Sequence, residues 1–477
     1  MSLRTYSSLS VTRADELMYG IAPFPVACGF DLVIGGGTVF PEVNFTLPAI
    51  TVAQANWSEI RRQYEEMATA ILKRAVALQM PGIVLEFELL PAMTDEPEWG
   101  AEITALLRRH LEEAHDKHGL RSALRVTPTD IRDQAKPPEL RSSPAWEKLR
   151  RSFELCIAAG GDIMSIESVG GKEVHDQALM FGNVRGCIFA LGILAPADTA
   201  WLWDQISGMC AGTPSVPGGD TACGFANTAM QLAHQKMLPE VLAAVIRATS
   251  AVRSLAAFEH GAIGPSKDCA YEGPVIKAIT GCPISMEGKS AACAHFSPVG
   301  NIAAAVCDLW SNESVQNVRL LSGNAPEAFA ELLAYDCRLM NTAAARGGGK
   351  LMRDWLAASD EELSPQAAVL TPSATIQIAK AIVEETGTLR RTKAAAQAAT
   401  QIIRGASAEN RLKLSAKESA WLDRLEKQLE EIPNDEEAML EWANEAYAGI
   451  FLAESYGMVS VTPSTCDETK LAASKAN

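Results

Sequence analysis

The sequence predicts an α/β protein: a (β/α)8 TIM-type barrel over residues 51–360, preceded by a hairpin-like N-terminal extension over 1–50 and followed by a helical C-terminal region over 361–477 packed on the barrel. Three observations carry that expectation. Short apolar, β-rich runs bounded by Gly, Pro or Asp alternate with helical stretches between residues 51 and 360, the pattern of parallel β/α units. No G-x-G-x-x-G fingerprint follows any of these runs, which turns the choice away from a doubly wound dinucleotide-binding sheet. Beyond residue 361 the β-rich runs stop, and Ala, Leu, Glu and Lys, all good helix formers, take over. A chain of 477 residues with 48% apolar and 21% charged residues is long enough and apolar enough for one large barrel with additions.

Taken in order, Gly35-Gly36-Gly37 separates two apolar runs, 30–34 and 38–40, and reads as the turn of a hairpin. Phe40 stands where a phosphate-binding loop needs its third glycine. Within the barrel a helix over 57–79 precedes the first of the strands, which are expected at 82–89, 123–126, 163–166, 186–191, 255–258, 284–286 and 318–321. In the C-terminal region Ser364-Pro365 is an N-cap followed by a first-turn proline, and Ser415-Ala-Lys-Glu418 has the spacing of a capping box. The residues from about Ser460 are polar and expected to be loose.

Composition narrows the function. With 58 acidic and 42 basic residues the net charge is −16, so nucleic acid and anionic membrane are poor partners. The longest apolar stretch, 186–197, ends at Asp198 and is well short of the roughly 20 residues a membrane span needs. The first thirteen residues are polar and lack the apolar core of a signal peptide. Eleven cysteines, an odd number, then read as reduced thiols, and a cytoplasmic location is expected.

Barrel chemistry sits where strands end and loops begin. Three such loops hold metal-ligand types: Glu167 in Ser165-Ile-Glu-Ser-Val-Gly-Gly171, Cys223 in Gly219-Asp-Thr-Ala-Cys-Gly-Phe-Ala-Asn227, and Cys269 in Gly264-Pro-Ser-Lys-Asp-Cys-Ala-Tyr271. One carboxylate and two thiolates from separate loops would give a zinc ion three ligands and leave its fourth position open, the arrangement of a catalytic site. The residues alone leave alternatives open. Cys223 and Cys269 also fit buried thiols, Glu167 fits a paired acid, and Cys282 with Cys293 and His295 forms a second ligand group. Glu86 and Glu88 flank Phe87 and share one strand face, suited to acid/base work or to binding an arginine. No C-x-x-C or H-E-x-x-H occurs, Gly347-Gly-Gly-Lys350 lacks P-loop spacing, and His110, His115 and His118 lie in a charged helical stretch.

These loops resemble the zinc-containing methanol:corrinoid methyltransferase subunit. The resemblance rests on Ser165-Ile-Glu-Ser-Val-Gly-Gly-Lys-Glu-Val174, Gly219-Asp-Thr-Ala-Cys-Gly-Phe-Ala-Asn-Thr-Ala-Met230, Gly264-Pro-Ser-Lys-Asp-Cys-Ala-Tyr-Glu272 and Met286-Glu-Gly-Lys-Ser-Ala-Ala-Cys-Ala-His295. Trp310-Ser-Asn-Glu-Ser-Val315 and Ala334-Tyr-Asp-Cys-Arg-Leu-Met-Asn-Thr342 extend it, so it spans nearly the whole chain and is densest in the barrel. It implies one zinc per chain, on Glu167, Cys223 and Cys269, and transfer of the methyl group of methanol to a Co(I) corrinoid. Another small methyl donor, such as a methoxylated compound, is the alternative. The corrinoid-binding signature D-x-H-x-x-G is missing: Asp116-Lys-His-Gly-Leu-Arg121 ends on Arg where Gly is required, so the cobalt comes from a partner corrinoid protein. A homodimer of this subunit within a hetero-oligomer is likewise implied. Hydroxide leaves carbon reluctantly, so a proton donor should help the metal, and Asp220, Glu88 and Lys172 are the candidates; for Lys172 an ion pair with Glu173 or Asp176 is the competing role.

Overall fold

A computed structural model of the chain describes residues 4–47, 50–289, 297–316, 318–320 and 323–458. Seven parallel strands form one curled sheet in the order β7-β6-β5-β4-β3-β9-β8. They are β3 (Phe40–Thr46), β4 (Ile83–Glu88), β5 (Ser122–Thr127), β6 (Ile163–Ile166), β7 (Val216–Asp220), β8 (Ser285–Glu287) and β9 (Leu309–Val315). Residues 263–266 bridge the two edges of this sheet. Ile263 and Gly264 donate to Pro217 and Gly218 of β7 (2.8 Å each), while Ser266 donates to Pro283 (3.2 Å) and accepts from Ser285 of β8 (3.3 Å). The result is a TIM-like α/β barrel, with helices between the strands.

Strand side chains alternate between two environments, as the two-residue period requires. Val43, Phe45, Leu85, Phe87, Leu124, Val126, Met164 and Ile166 face outward and pack in the main core under the helices. The inner face is divided by height. At its lower end Phe40, Val84, Ala123, Ile163 and Leu309 form a separate apolar cluster with Cys28, Leu32 and Ile34 of an N-terminal hairpin, β1 (Ile21–Cys28) and β2 (Leu32–Gly36). Two residues further along each strand the inner face turns polar: Glu42 and Asn44, Glu86 and Glu88, Arg125 and Thr127, Ser311 and Glu313. An apolar floor therefore carries a charged interior that opens at the strand ends.

Several expected elements differ from this. The hairpin turns at 29–31 rather than at the triple glycine; Gly29 has φ +59°, and a Cβ there would lie 2.3 Å from the Ser122 carbonyl oxygen. Strand β3 falls inside the first 50 residues yet pairs between β4 and β9. Residues 186–191 and 255–258 are helical, within Val184–Phe189 and its continuation and within Glu240–Glu259. Both regions are apolar on all sides because they are enclosed on all sides, a pattern that a short run shares with a buried strand. By length and composition Val184–Cys210 and Glu240–Glu259 could each cross a membrane, but 83% and 100% of their most apolar windows are buried inside the fold. The strand expected at 318–321 is at Leu309–Val315 instead, where inward-facing Ser311 and Glu313 break the apolar run; residues 319–320 make only a short ladder with 323–324.

The C-terminal helices begin where their caps indicate. Ser364 accepts from the Ala367 N–H and Ser415 from the Glu418 N–H. The Glu418 carboxylate does not return to Ser415 but accepts from the N–H groups of Glu240 and Val241 (3.2 and 3.0 Å), capping the buried helix Glu240–Glu259. Residues 459–477, including the expected loose tail, lie outside the described residues.

Candidate metal centre at the barrel mouth

Glu167 follows β6, Cys223 lies three residues beyond β7, and Cys269 follows the segment that bridges the sheet edges. These are consecutive positions around the barrel, which brings ligands 102 residues apart in the chain together. One ligand atom from each of the three lies within 4.8 Å of the others, and Cys269 Sγ is 3.6 Å from Glu167 Oε1. Two sulfurs and one carboxylate oxygen at this spacing suit a divalent cation of borderline softness. Cys223 opens the helix Cys223–His234, whose N-terminus favours a thiolate, and Asn227 one turn on donates its amide N–H to the Cys223 sulfur at 2.8 Å. Cys269 has φ +76°, a left-handed conformation that a non-glycine residue holds only when its surroundings impose it. Burial pushes the Cys269 thiol well above its ordinary range, with the Cys223 sulfur adding to the effect, the shift a bound cation would reverse.

The loop carrying Glu167 is held by two buried ion-pair networks and one distant side chain. Ser168 donates its N–H and hydroxyl to Asp220 (3.1 and 2.9 Å), and Arg253 donates to both Asp220 (2.7 Å) and the Ser168 carbonyl (3.0 Å). The Val169 N–H donates to Asp130, whose other partner Arg132 also pairs with Asp198. The Gly171 N–H donates to the Tyr456 hydroxyl at 2.9 Å. A ligand-bearing loop fixed at three of the four residues that follow its ligand is pre-organised.

Beside Glu167 a cavity of about 270 Å³ opens to solvent, lined among others by Glu88, Thr127, Asp130, Lys172 and Gly224. The three proton-donor candidates part company here. Glu88 faces the cavity, accepting from Asn44 Nδ2 (3.0 Å) and paired with Lys267 (2.7 Å). Lys172 also faces it and is paired with Asp176. Asp220 lies away from the cavity, saturated by Ser168, Thr221, Trp203 and Arg253.

Lys267, Asn227 and Tyr456 are the site residues that sequence reasoning missed. Lys267 was legible in principle, two residues before Cys269, whereas Tyr456 is 285 residues from its partner and has no local signal. A second acidic trio, Glu42, Glu86 and Asp268, also has ligand atoms within 4.8 Å of one another. Two cations from within the chain already occupy it, Arg125 on Glu42 (2.7 Å) and Lys267 on Glu86 and Asp268 (3.1 and 2.7 Å), and it is a buried ion-pair network. In the alternative ligand group, Cys282 is buried at the start of β8, the end remote from the mouth, while Cys293 and His295 lie outside the described residues.

Fold and site together define a class: an α/β barrel whose strand ends bring together a two-sulfur, one-carboxylate donor set, its carboxylate lining an open cavity. Residues 3–457 match the family described as methanol-cobalamin methyltransferase B subunit. A methanol–corrinoid protein co-methyltransferase of Methanosarcina barkeri is 36% identical over 465 residues, covering 96% of this chain and all of that protein. The crystal structure of the methanol:cobalamin methyltransferase complex MtaBC from Methanosarcina barkeri contains a chain that superposes with a TM-score of 0.92 at 36% identity, covering 95% of this chain and all of that one. The chain belongs to the methanol-cobalamin methyltransferase B subunit family, and it is a methyltransferase.

Proposed function

We propose that this protein transfers the methyl group of methanol to the Co(I) corrinoid of a partner protein, with one zinc ion held by Glu167, Cys223 and Cys269. The observation that carries the reading is the convergence of those three ligand atoms within 4.8 Å beside an open cavity. Bound there, zinc would supply Lewis acidity toward the alcohol oxygen. The chain's own residues do the rest. Ser168, Val169 and Gly171 hold Glu167 in place, and Asn227 steadies Cys223 by donating to its sulfur. Breaking the carbon–oxygen bond calls for a proton on the departing oxygen, and Glu88, which faces the open cavity beside Glu167, is the group that relays it, taking a proton from solvent in the cavity and passing it to that oxygen. Asp220 acts as a positioning residue for the Glu167 loop, and Lys172 orders the cavity rim through Asp176.

In this reading the partner supplies the cobalt, which the name of the related methanol–corrinoid protein co-methyltransferase supports. Two copies of this subunit associate in the proposed assembly: Leu332, Tyr335 and Leu339, spaced i, i+3 and i+7 on one helix, and Leu351 and Trp355 on the next are each more than half exposed. The described cysteines are all unpaired, in keeping with a reducing compartment such as the cytoplasm.

The cavity exceeds what a two-heavy-atom alcohol fills, which keeps a larger methoxylated donor as the second reading. Methylation of Co(I) corrinoid protein, followed by absorbance with methanol and separately with a methoxylated aromatic, decides between them. Zinc analysis before and after Glu167→Gln tests the site. About one zinc per chain, lost in the variant, is the expected result; unchanged zinc content would move the site elsewhere.

A further inference from the structure

Lys267 is a fully enclosed cation at the mouth. Its side chain is 1% exposed, and its ammonium meets Glu88 and Asp268 at 2.7 Å, Glu86 at 3.1 Å and Glu167 at 3.5 Å. An ammonium has three hydrogens to donate. It donates to Asp268 and pairs by charge with Glu88 and Glu86, so Glu167, at 3.5 Å, is the outermost of its four carboxylates and is drawn to the ammonium by charge without being taken by a bond. Its oxygen stays available on the side of the sulfurs, where Cys269 Sγ lies 3.6 Å away. The four carboxylates come from strand β4, the loop after β6 and the turn that follows the bridging segment, so this one side chain ties three parts of the rim together.

We propose that Lys267 is a positioning residue of the metal centre, setting the metal-binding carboxylate Glu167 and the cavity-facing carboxylate Glu88 on two sides of one fixed ammonium. The inference rests on the zinc reading above and adds a residue that this reading does not require. Unlike a second metal ion, the ammonium cannot exchange or be chelated away, and its compact charge can be approached by oxygens from several directions, where a guanidinium presents its donors in one plane.

The test is the zinc dissociation constant of the full-length chain, measured by competition with a chromophoric chelator, together with the absorption spectrum of the cobalt(II)-substituted protein. Lys267→Met is expected to weaken zinc about 10- to 100-fold, the usual cost of removing an outer-sphere partner. Its cobalt d–d bands should shift while the thiolate-to-cobalt charge-transfer band persists, because both cysteines remain. Lys267→Arg keeps the charge and alters its geometry, and should fall between the two. A folded Lys267→Met chain whose zinc affinity stays within twofold of the parent, with an unchanged cobalt spectrum, overturns the proposal. So does failure of both variants to fold, which would assign Lys267 to folding alone. A parent chain that holds no zinc overturns the metal reading and this inference with it. A zinc-loaded parent that fails to methylate cobalt from methanol overturns the substrate reading and leaves the Lys267 measurement standing.

Discussion

Cys269 shows how a single residue trades stability for a site. Its φ of +76° lies in the region where an L side chain crowds its own backbone, at a cost of roughly 1–2 kcal/mol that glycine avoids. Cys269→Gly is therefore expected to melt above Cys269→Ala, by the equivalent of about 1 kcal/mol in thermal unfolding of the metal-free chains, while both lose the metal. Equal melting points for the two would mean that the loop relaxes out of the left-handed region. Asp220 makes the complementary case. Its pair with Arg253 is fully buried, so Asp220→Asn leaves an uncompensated guanidinium and should cost about 3–5 kcal/mol in denaturant unfolding. Asp220→Asn combined with Arg253→Met should recover part of that loss; a proton donor standing free of such a network would instead lose turnover with its stability intact. The sequence placed Glu167 at a strand end because it follows the run 163–166, and Cys223 and Cys269 in polar, glycine-punctuated loops; β7 before Cys223 was not among the expected strands, and the run 255–258 expected as a strand before Cys269 is helical. It could not separate Asp220 from Glu88, because the partners that saturate Asp220, Trp203 and Arg253, come from helices that fold back onto it.

Helices and strands differ in how openly the sequence declared them. Strands β4, β5, β6 and β8 coincide with short apolar runs, whereas β3 and β9 carry Glu, Asn and Ser on an inward face that is polar by design of the site, so their alternation is of outward apolar against inward charged residues. The C-terminal helices were legible through their caps, but their bearing on the mouth was not. The Tyr456 hydroxyl is the acceptor for the Gly171 N–H, and the Glu418 carboxylate caps the helix that supplies Arg253. Tyr456→Phe should cost about 1–3 kcal/mol by leaving a buried N–H without an acceptor, and should also speed loss of metal to a chelator. Unaltered metal release alongside lowered stability would confine the C-terminal region to a scaffolding role.

At the scale of the whole molecule, charge and apolar surface point in different directions. A net charge of −16 keeps copies apart at long range, and salt screens that repulsion within about 8 Å at physiological ionic strength. Association must then come from a local apolar contact, and helix Ala325–Ala345 with its neighbour Gly349–Asp360 offers one. Leu339 is 58% and Trp355 63% exposed, which costs free energy in a lone chain and is offset when two such faces meet about a twofold axis. The unaltered chain is expected to run at twice its monomer mass in light scattering after gel filtration. Leu339→Glu with Trp355→Glu should run at the monomer mass, with unfolding free energy within about 0.5 kcal/mol per site of the parent, since neither side chain contributes to the core of one chain. Zinc content should be unaffected, because the ligands sit at the strand ends and owe nothing to these two helices. An unaltered chain that stays monomeric at micromolar concentration, or a double variant that stays dimeric, would place the contact on another face or remove it.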